Sequence, residues 1–414
     1  MSAGLVARFG HTFRALRHRQ FRIFWAGQGI SVTGTWMQTM AQSWLVYRLT
    51  NSPLALGLLA IARFGPALVG SPIAGVVTDR VSRRNLVLLT QSLSLVQSAV
   101  LAGLTLTGRI QVWQVLVLAG VQGIVDTLDM PARQTLQVDL VGIEDLQSAV
   151  SLNSSAFNLA RMVGPALAGV LVSLYGEGVC FAVNAFSYLT VLVALVAIRL
   201  PAGGRVTSGR LGRELREGFR YAWHAPGVRS VLVAVAVTSG LGLSYGTLLP
   251  VLARDVLHGG ARGYGLLLAG AGLGAIAGAL GAASRRSQGG TSLILALGQG
   301  ALGLGLVGLA TTRSLTLATV CMVVVGFAVA AQLTTTNGFL QTTAPPHLRG
   351  RVVSLYIWLF TGISPLGGML AGWAADRVGA PWATAAAGLG CVVSALLAAR
   401  GIPRERAAFR QTGA

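Results

Sequence analysis

Acidic side chains are scarce in this sequence, lysine is absent, and cysteine occurs three times. Of 414 residues only twelve are Asp or Glu and 11% are charged, while 53% are hydrophobic and 55 are glycine. Soluble globular domains carry about a quarter of their residues charged, so a water-soluble fold is excluded. Cys180, Cys321 and Cys391 lie in apolar runs without paired or metal-ligand spacing, which makes them packing residues. The five histidines lie outside the apolar runs or at their ends. No His/Glu metal spacing, Ser/His/Asp set or glycine-rich phosphate loop occurs, so an enzyme, a bound metal or cofactor, and an ATP-driven pump are not expected. All 32 basic residues are Arg. Such uniformity reflects genome composition, and Arg identity by itself carries no weight.

What the chain has instead is long apolar runs. A membrane-crossing helix needs about 20 mostly apolar residues, and twelve such spans can be marked: 22–48, 54–78, 85–107, 111–133, 148–174, 178–199, 228–252, 263–283, 291–310, 315–341, 351–375 and 381–400. Backbone polar groups in lipid must be satisfied within a helix or a closed barrel, and unbroken apolar runs fit helices. The net charge of +20 would point to nucleic acid in a soluble protein, but here its distribution argues against that partner. Twenty-four basic residues fall at the N-terminus, in the even-numbered loops and at the C-terminus; six (Arg48, Arg109, Arg254, Arg262, Arg313, Arg377) lie at the opposite face, and Arg63 and Arg161 lie inside spans. The positive-inside rule then places both termini in the cytoplasm of a cell (inner) membrane protein. No cleavable signal is visible, and the first span itself is expected to direct insertion.

The spans repeat. At an offset of 203, the VSL of 150–152 meets the VSL of 353–355, and Gly75 and Arg83 meet Gly278 and Arg286. A repeat that keeps its orientation needs an even number of helices, and six satisfies this. The expected organisation is a basic N-terminus (1–21), a six-helix bundle (22–199), a linker (200–227), a second six-helix bundle (228–400) and a tail (401–414). In the linker, Leu211, Leu215, Phe219 and Trp223 recur every four residues among Arg and Glu. This suits either an amphipathic helix on anionic headgroups or a solvated linker helix.

Between spans 2 and 3 the stretch GVVTDRVSRR (75–84) sets four charges among apolar neighbours. With twelve helices in a 6+6 repeat, it resembles the major facilitator superfamily, nearest the branch that includes the enterobactin exporter. GTWMQTMAQSWLV (34–46), DMPARQ (129–134), LNSSAFNLARMVGPALAG (152–169) and RELREGFRYAWHAPGVR (213–229) support the likeness. The resemblance implies a cytoplasmic gating latch of Gly75, Asp79, Arg80, Arg83, Arg84 and Asp129, in which Arg83 meets Asp129 and Asp79 caps span 11 near Arg351. A plain topological anchor would explain the Arg residues but not the Asp. The equivalent second loop, GALGAASRRS (278–287), has Ala282 in place of the Asp, so a second latch is degenerate. An Arg that family members carry before the Gln-Gly of span 4 is here Ala119, and its proton-linked role does not carry over.

Four polar residues, Gln122, Asp126, Asp129 and Arg133, fall on one stripe of span 4. Charges in lipid are expensive, so the stripe should face the bundle interior. Span 5 aligns Ser151, Ser154 or Ser155, Asn158 and Arg161, followed by Gly164, Pro165 and Gly169, which resemble the antiporter motif that packs a kinked helix at the domain interface. Asp126 and Arg161 differ in level by about 10 Å along their helices, so a direct pair would need a tilt or a water. Arg63 and Arg161 either attract an anionic or phenolic substrate or bond backbone carbonyls as structural residues. Further cavity candidates are Gln122, Asn158, Trp36, Gln38, Gln42, Tyr245, Tyr356 and Trp358. Proton coupling needs a carboxylate that alternates between ionised and protonated forms; Asp126 is the first candidate and Asp129 the second. The expected function is export of a small amphipathic molecule, siderophore-like or drug-like, against protons, by a monomer in the bilayer. The alternative is a non-transporting or regulatory membrane protein that keeps the fold.

Overall fold

The computed structural model describes residues 13–198, 219–284, 291–345 and 348–411, and no strand occurs among them. The helices are α1 (Arg19–Thr50), α2 (Pro53–Arg80) and α3 (Arg83–Leu106), then α4 and α5 as the two arms of Val112–Tyr175, then α6 (Glu177–Ala197) and α7 (Gly227–Val256). They continue with α8 (Gly260–Ala283), α9 (Thr291–Thr311), α10 (Leu315–Thr343), α11 (Arg349–Val378) and α12 (Ala380–Gln411). Ten helices are long and apolar enough to cross a membrane. One of them, Val112–Tyr175, has 64 residues and would reach about 96 Å, three hydrocarbon thicknesses. Gly142 breaks it with a φ of 73°, a conformation glycine adopts without steric penalty. Two crossings therefore share that helix. Counting α1, whose interior glutamines lower its hydropathy, gives the twelve expected from the sequence.

The expected loop between spans 4 and 5 is thus helical apart from Gly142. Its residues leave the apolar pattern, but only Gly142 opposes helix propagation, and no rule makes a helix end where lipid ends. Large apolar side chains also face outward along these helices, with Phe186 70% and Trp382 73% exposed. Such a surface belongs in hydrocarbon.

The chain forms two compact units. The first comprises Met1–Leu45 and Gly65–Gly209, the second Val46–Phe64 and Arg210–Ala414, so the end of α1 and the first half of α2 belong to the second unit. Lipid gives helices no hydrophobic reason to associate, so close packing and internal hydrogen bonds must hold each unit together. Both are present. In the second unit a Cβ on Gly274 would sit 1.9 Å from the Val323 carbonyl oxygen, and one on Gly326 would sit 1.9 Å from that of Ala271. The backbones of α8 and α10 are in direct contact there. Each unit also has a buried amide cluster. In the first, Gln38 Nε2 donates to Gln97 Oε1 at 3.0 Å, while Asn184 Nδ2 and Ser98 Oγ donate to Gln38 Oε1 at 2.9 and 2.8 Å, tying α1, α3 and α6. In the second, Thr238 Oγ1 lies 2.7 Å from Gln299 Oε1, which also accepts from Gln332 Nε2 at 2.8 Å, tying α7, α9 and α10. Gln97 and Gln299, 202 residues apart, hold matching places in the third helix of each six.

Helix α7 is irregular. Thr238–Gly242 and Leu252–Val256 are π-helical, with Leu243 N bonding Thr238 O at 2.7 Å and Leu257 N bonding Leu252 O at 2.9 Å. The first widened turn sets the Gly240 carbonyl against Gly367 of α11, where a Cβ would come within 1.9 Å. Before α1, the 3-10 turn Arg14–Arg17 docks on the segment between α4 and α5. Ala15 N donates to Ser148 Oγ at 3.0 Å, and Asp145 receives His18 Nε2 at 2.9 Å and Arg14 Nε at 3.2 Å. The His18 hydrogen bond, aided by the Arg14 charge, holds the Asp145 carboxyl below the usual carboxylate range.

Gly326→Ala should lower stability by about 1–3 kcal/mol or more through overpacking against backbone, whereas Gly29→Ala, with open space at its Cβ, should be neutral or slightly stabilising; thermal unfolding of the purified protein compares them. A carboxyl whose pKa is depressed by folding stabilises above its unfolded pKa and stops doing so as pH falls through the folded value. Hydrogen-exchange protection at Ala15 should accordingly persist from neutral pH to about 4 and be lost only below that, and Asp145→Asn should remove it at pH 7.

Candidate functional site

The polar stripe of α4 faces α3 within the first unit. Asp129 is 1% exposed. It accepts from Thr90 Oγ1 at 2.6 Å and Gln91 Nε2 at 3.0 Å, and it pairs with Arg133 one turn on. Three donors, one of them a cation, satisfy a charge that the apolar surroundings would otherwise expel. Asp126, one turn earlier and half-buried, accepts from the neutral amide of Gln122 at 2.9 Å, and that amide also donates to Ser94 Oγ at 3.0 Å.

Arg83 does not meet Asp129. It pairs with Asp139 at 2.7 Å, both side chains about one-fifth exposed. The reason is axial: Arg83 begins α3, level with a part of α4 ten residues, or about 15 Å, beyond Asp129, whereas Asp129 lies opposite Thr90 and Gln91, two turns into α3. Arg84 Nε donates to the Leu195 carbonyl at 3.0 Å. Arg83 and Arg84 thus join the start of α3 to α4 and α6. Gly75, Asp79 and Arg80 lie on helix α2, but their side chains are outside the described residues, so Asp79's expected partner near Arg351 is too. The linker pattern from Leu211 to residue 218 is likewise outside. Its described end, 219–224, is helical, and Phe219 stacks on Trp223 at 6.0 Å with both rings more than half exposed.

The cavity candidates separate by burial. Gln38 and Gln122 are held in the internal amide networks described above. Gln42 is 3% exposed, with its Nε2 unpartnered. Tyr245 and Tyr356 are buried, while Trp358 is half exposed. Asn158 Nδ2 turns back to the Ser154 carbonyl at 2.9 Å. Arg161 Cζ lies 5.8 Å from the Trp36 ring centroid, and Trp36 meets Phe157 edge to face at 5.7 Å. Arg63, over Phe64 at 5.8 Å, belongs to the other unit. Gly164, Pro165 and Gly169 are buried. A Cβ on Gly164 would sit 2.7 Å from Trp36 Cβ and 2.8 Å from Thr33 O, so this glycine packs α5 against α1 inside one unit. The helix runs through Pro165 without a break.

Reading the sequence missed a second charged cluster, in the second unit, where the ends of α1, α2, α7 and α11 gather. Tyr47 Oη donates to Asp255 Oδ2, and Arg254 pairs with Asp255 at 2.7 Å while lying 4.1 Å above the Tyr47 ring. Ser52 Oγ lies 3.3 Å from both oxygens of Asp376. Alongside, a Cβ on Gly372 would sit 2.5 Å from Pro53 O, and one on Gly57 2.8 Å from Met369 Cα. The available signal was the acid scarcity itself: Asp139, Asp255 and Asp376 each lie at a helix end, where an acid is cheapest to keep.

Twelve membrane helices with buried amide networks and ion pairs confined to helix interiors and ends define a polytopic membrane protein of the transporter class. The model of the transmembrane secretion effector family matches residues 10–409, and the chain belongs to that family of major facilitator transporters, not to the enzymes. It is 30% identical over 370 residues to the multidrug efflux pump Tap of Mycolicibacterium fortuitum, covering 86% of this chain and 87% of that one. It is 25% identical over 360 residues to the staphyloferrin A transporter of Staphylococcus aureus, covering 86% and 90%. A solved bacterial homologue of the human lysosomal transporter Spinster, inward-facing and occupied, superposes with a TM-score of 0.75 at 16% identity over 93% of this chain and 97% of that one, which shows the shared fold.

Asp139→Asn should cost about 1–3 kcal/mol, since it leaves a partly buried guanidinium without its carboxylate. Asp129→Asn should cost more, because Asp129 is almost fully buried and an amide cannot accept from Thr90, Gln91 and Arg133 as the carboxylate does. Detergent-solubilised thermal unfolding ranks the two, and the reverse order would mean that Asp129 is not the anchor of α3 and α4.

Proposed function

We propose that this protein is a proton-coupled exporter of a small amphipathic molecule, siderophore-like or drug-like, working by alternating access in the cytoplasmic membrane with both termini inside. The relatives named for multidrug efflux and for staphyloferrin transport support export of such molecules. The observation that carries the coupling is the contrast between the two interior carboxylates of α4. Asp129 is fully engaged by Thr90, Gln91 and the Arg133 guanidinium, so its carboxylate serves to hold α3 and α4 together. Asp126 accepts from a neutral amide, and taking up a proton there leaves Gln122 with no charge to compensate. Asp126 is therefore the coupling residue, releasing its proton to the cytoplasm and reloading from outside.

Arg83 and Arg84, fixed to Asp139 and Leu195, are the first-unit side of the cytoplasmic latch, and the short turn between the end of α2, with Gly75, Asp79 and Arg80, and the start of α3 transmits its opening. The exposed Phe219 and Trp223 pair rests in the cytoplasmic interface, where aromatic rings suit the headgroup level.

Inverted vesicles holding the protein should accumulate an amphipathic dye when an acid-inside gradient is imposed. Asp126→Asn, a neutral mimic of the protonated acid, should bring that accumulation down to the level of empty vesicles while equilibrium dye binding persists. Undiminished gradient-driven accumulation by this variant would rule Asp126 out as the coupling group.

A further inference from the structure

Among the described residues, Arg161 has no carboxylate paired with it. It lies on α5 thirteen residues, about 20 Å of helix, beyond Ser148, where the sequence pattern starts the span. Among the described residues of its unit, the other carboxylates are engaged or distant. Asp126 accepts from Gln122, Asp129 pairs with Arg133, Asp139 with Arg83, and Asp145 with Arg14 and His18. Glu144 lies seventeen residues before Arg161, about 25 Å of helix, and Glu177 begins α6, beyond the far end of α5. What Arg161 does meet is the face of Trp36.

That meeting is built. Phe157 and Arg161 are one turn apart on α5, and the ring of Trp36 lies against both, edge to face with Phe157 at an interplanar angle of 71°. The root of Trp36 is fixed by Gly164, the one residue small enough to let α1 and α5 approach so closely at that turn. An indole held by its backbone and shared between a ring and a guanidinium is pre-organised. The guanidinium keeps its planar fork of donors for a second partner.

We propose that Arg161 and Trp36 form the substrate's acid pole: the guanidinium binds a carboxylate or phenolate oxygen, and Trp36 with Phe157 takes the flat unsaturated part next to it. A cation held in an apolar span at the expense of its hydration stays there when a ligand supplies the missing charge. The inference deepens the exporter reading and rests on it for the word substrate. Its test is equilibrium binding, which needs no gradient, so that a failure of coupling and a failure of recognition remain distinct.

The full-length protein in phosphatidylcholine nanodiscs is titrated into carboxyfluorescein, an aromatic organic anion, and into rhodamine 6G, an aromatic cation, with fluorescence anisotropy as the readout. Arg161→Gln should weaken carboxyfluorescein binding at least about tenfold, the worth of a charge-assisted contact, and leave rhodamine 6G affinity unchanged. Arg161→Lys should fall between, keeping the charge but not the planar fork. Trp36→Leu should weaken both dyes, since it removes the stacking face. Unchanged carboxyfluorescein affinity in a folded Arg161→Gln or Arg161→Lys protein would overturn the assignment, as would wild-type protein that binds the cation and not the anion. Loss of carboxyfluorescein binding in phosphatidylglycerol nanodiscs alone would show that a lipid headgroup occupies Arg161, and would also overturn it.

Discussion

A charge in hydrocarbon has no water to turn to, and desolvation costs far more than any one contact in such a protein returns. The arrangement of this chain follows from how each ion meets that cost. Asp129 meets it with two neutral donors and a cation on the next turn. Asp139, Asp145, Asp255 and Asp376 meet it by position, at helix ends where Arg, His, Tyr or Ser is within reach. Asp126 accepts from the Gln122 amide and Arg161 lies over the Trp36 indole ring, and the proposed chemistry is placed on these two.

The same scarcity of water explains how the units cohere. With no hydrophobic gain from helix association in lipid, backbone contact at glycine and buried amide hydrogen bonds take its place. The Gly274, Gly278 and Gly326 contacts of α8 with α10 belong to the first kind. The Gln38–Gln97–Asn184 and Thr238–Gln299–Gln332 clusters belong to the second. Each cluster includes one glutamine of the third helix of its six, Gln97 and Gln299.

The two units part company in how their helices are built. The first contains a 64-residue helix broken at one glycine; the second contains α7 with two π-helical turns. Single widened turns of this kind tend to mark functional positions. The first of them places Ser239, which donates to the Phe360 carbonyl at 2.5 Å, and the second carries Arg254 and Asp255, which close on Tyr47.

The number of crossings, their helical nature and the family were legible in the sequence, because lipid dictates run length and the hydrophobic pattern reports it directly. The choice of Asp126 and Asp129 as interior acids was legible for the same reason, since a carboxylate inside an apolar run is conspicuous. Partners were not. Whether Arg83 reaches Asp129 or Asp139 depends on the axial stagger of two helices, a quantity that residue spacing within one helix does not contain. Gln38 and Gln122 read as cavity residues in one dimension and became network donors once α1, α3, α4 and α6 were packed. Gly164 read as part of an interface kink, and packing alone revealed it as the seat of Trp36. Periodicity fixes which face of a helix a residue occupies; only tertiary structure decides what stands opposite, because that depends on tilt, stagger and the closeness of approach that glycine permits.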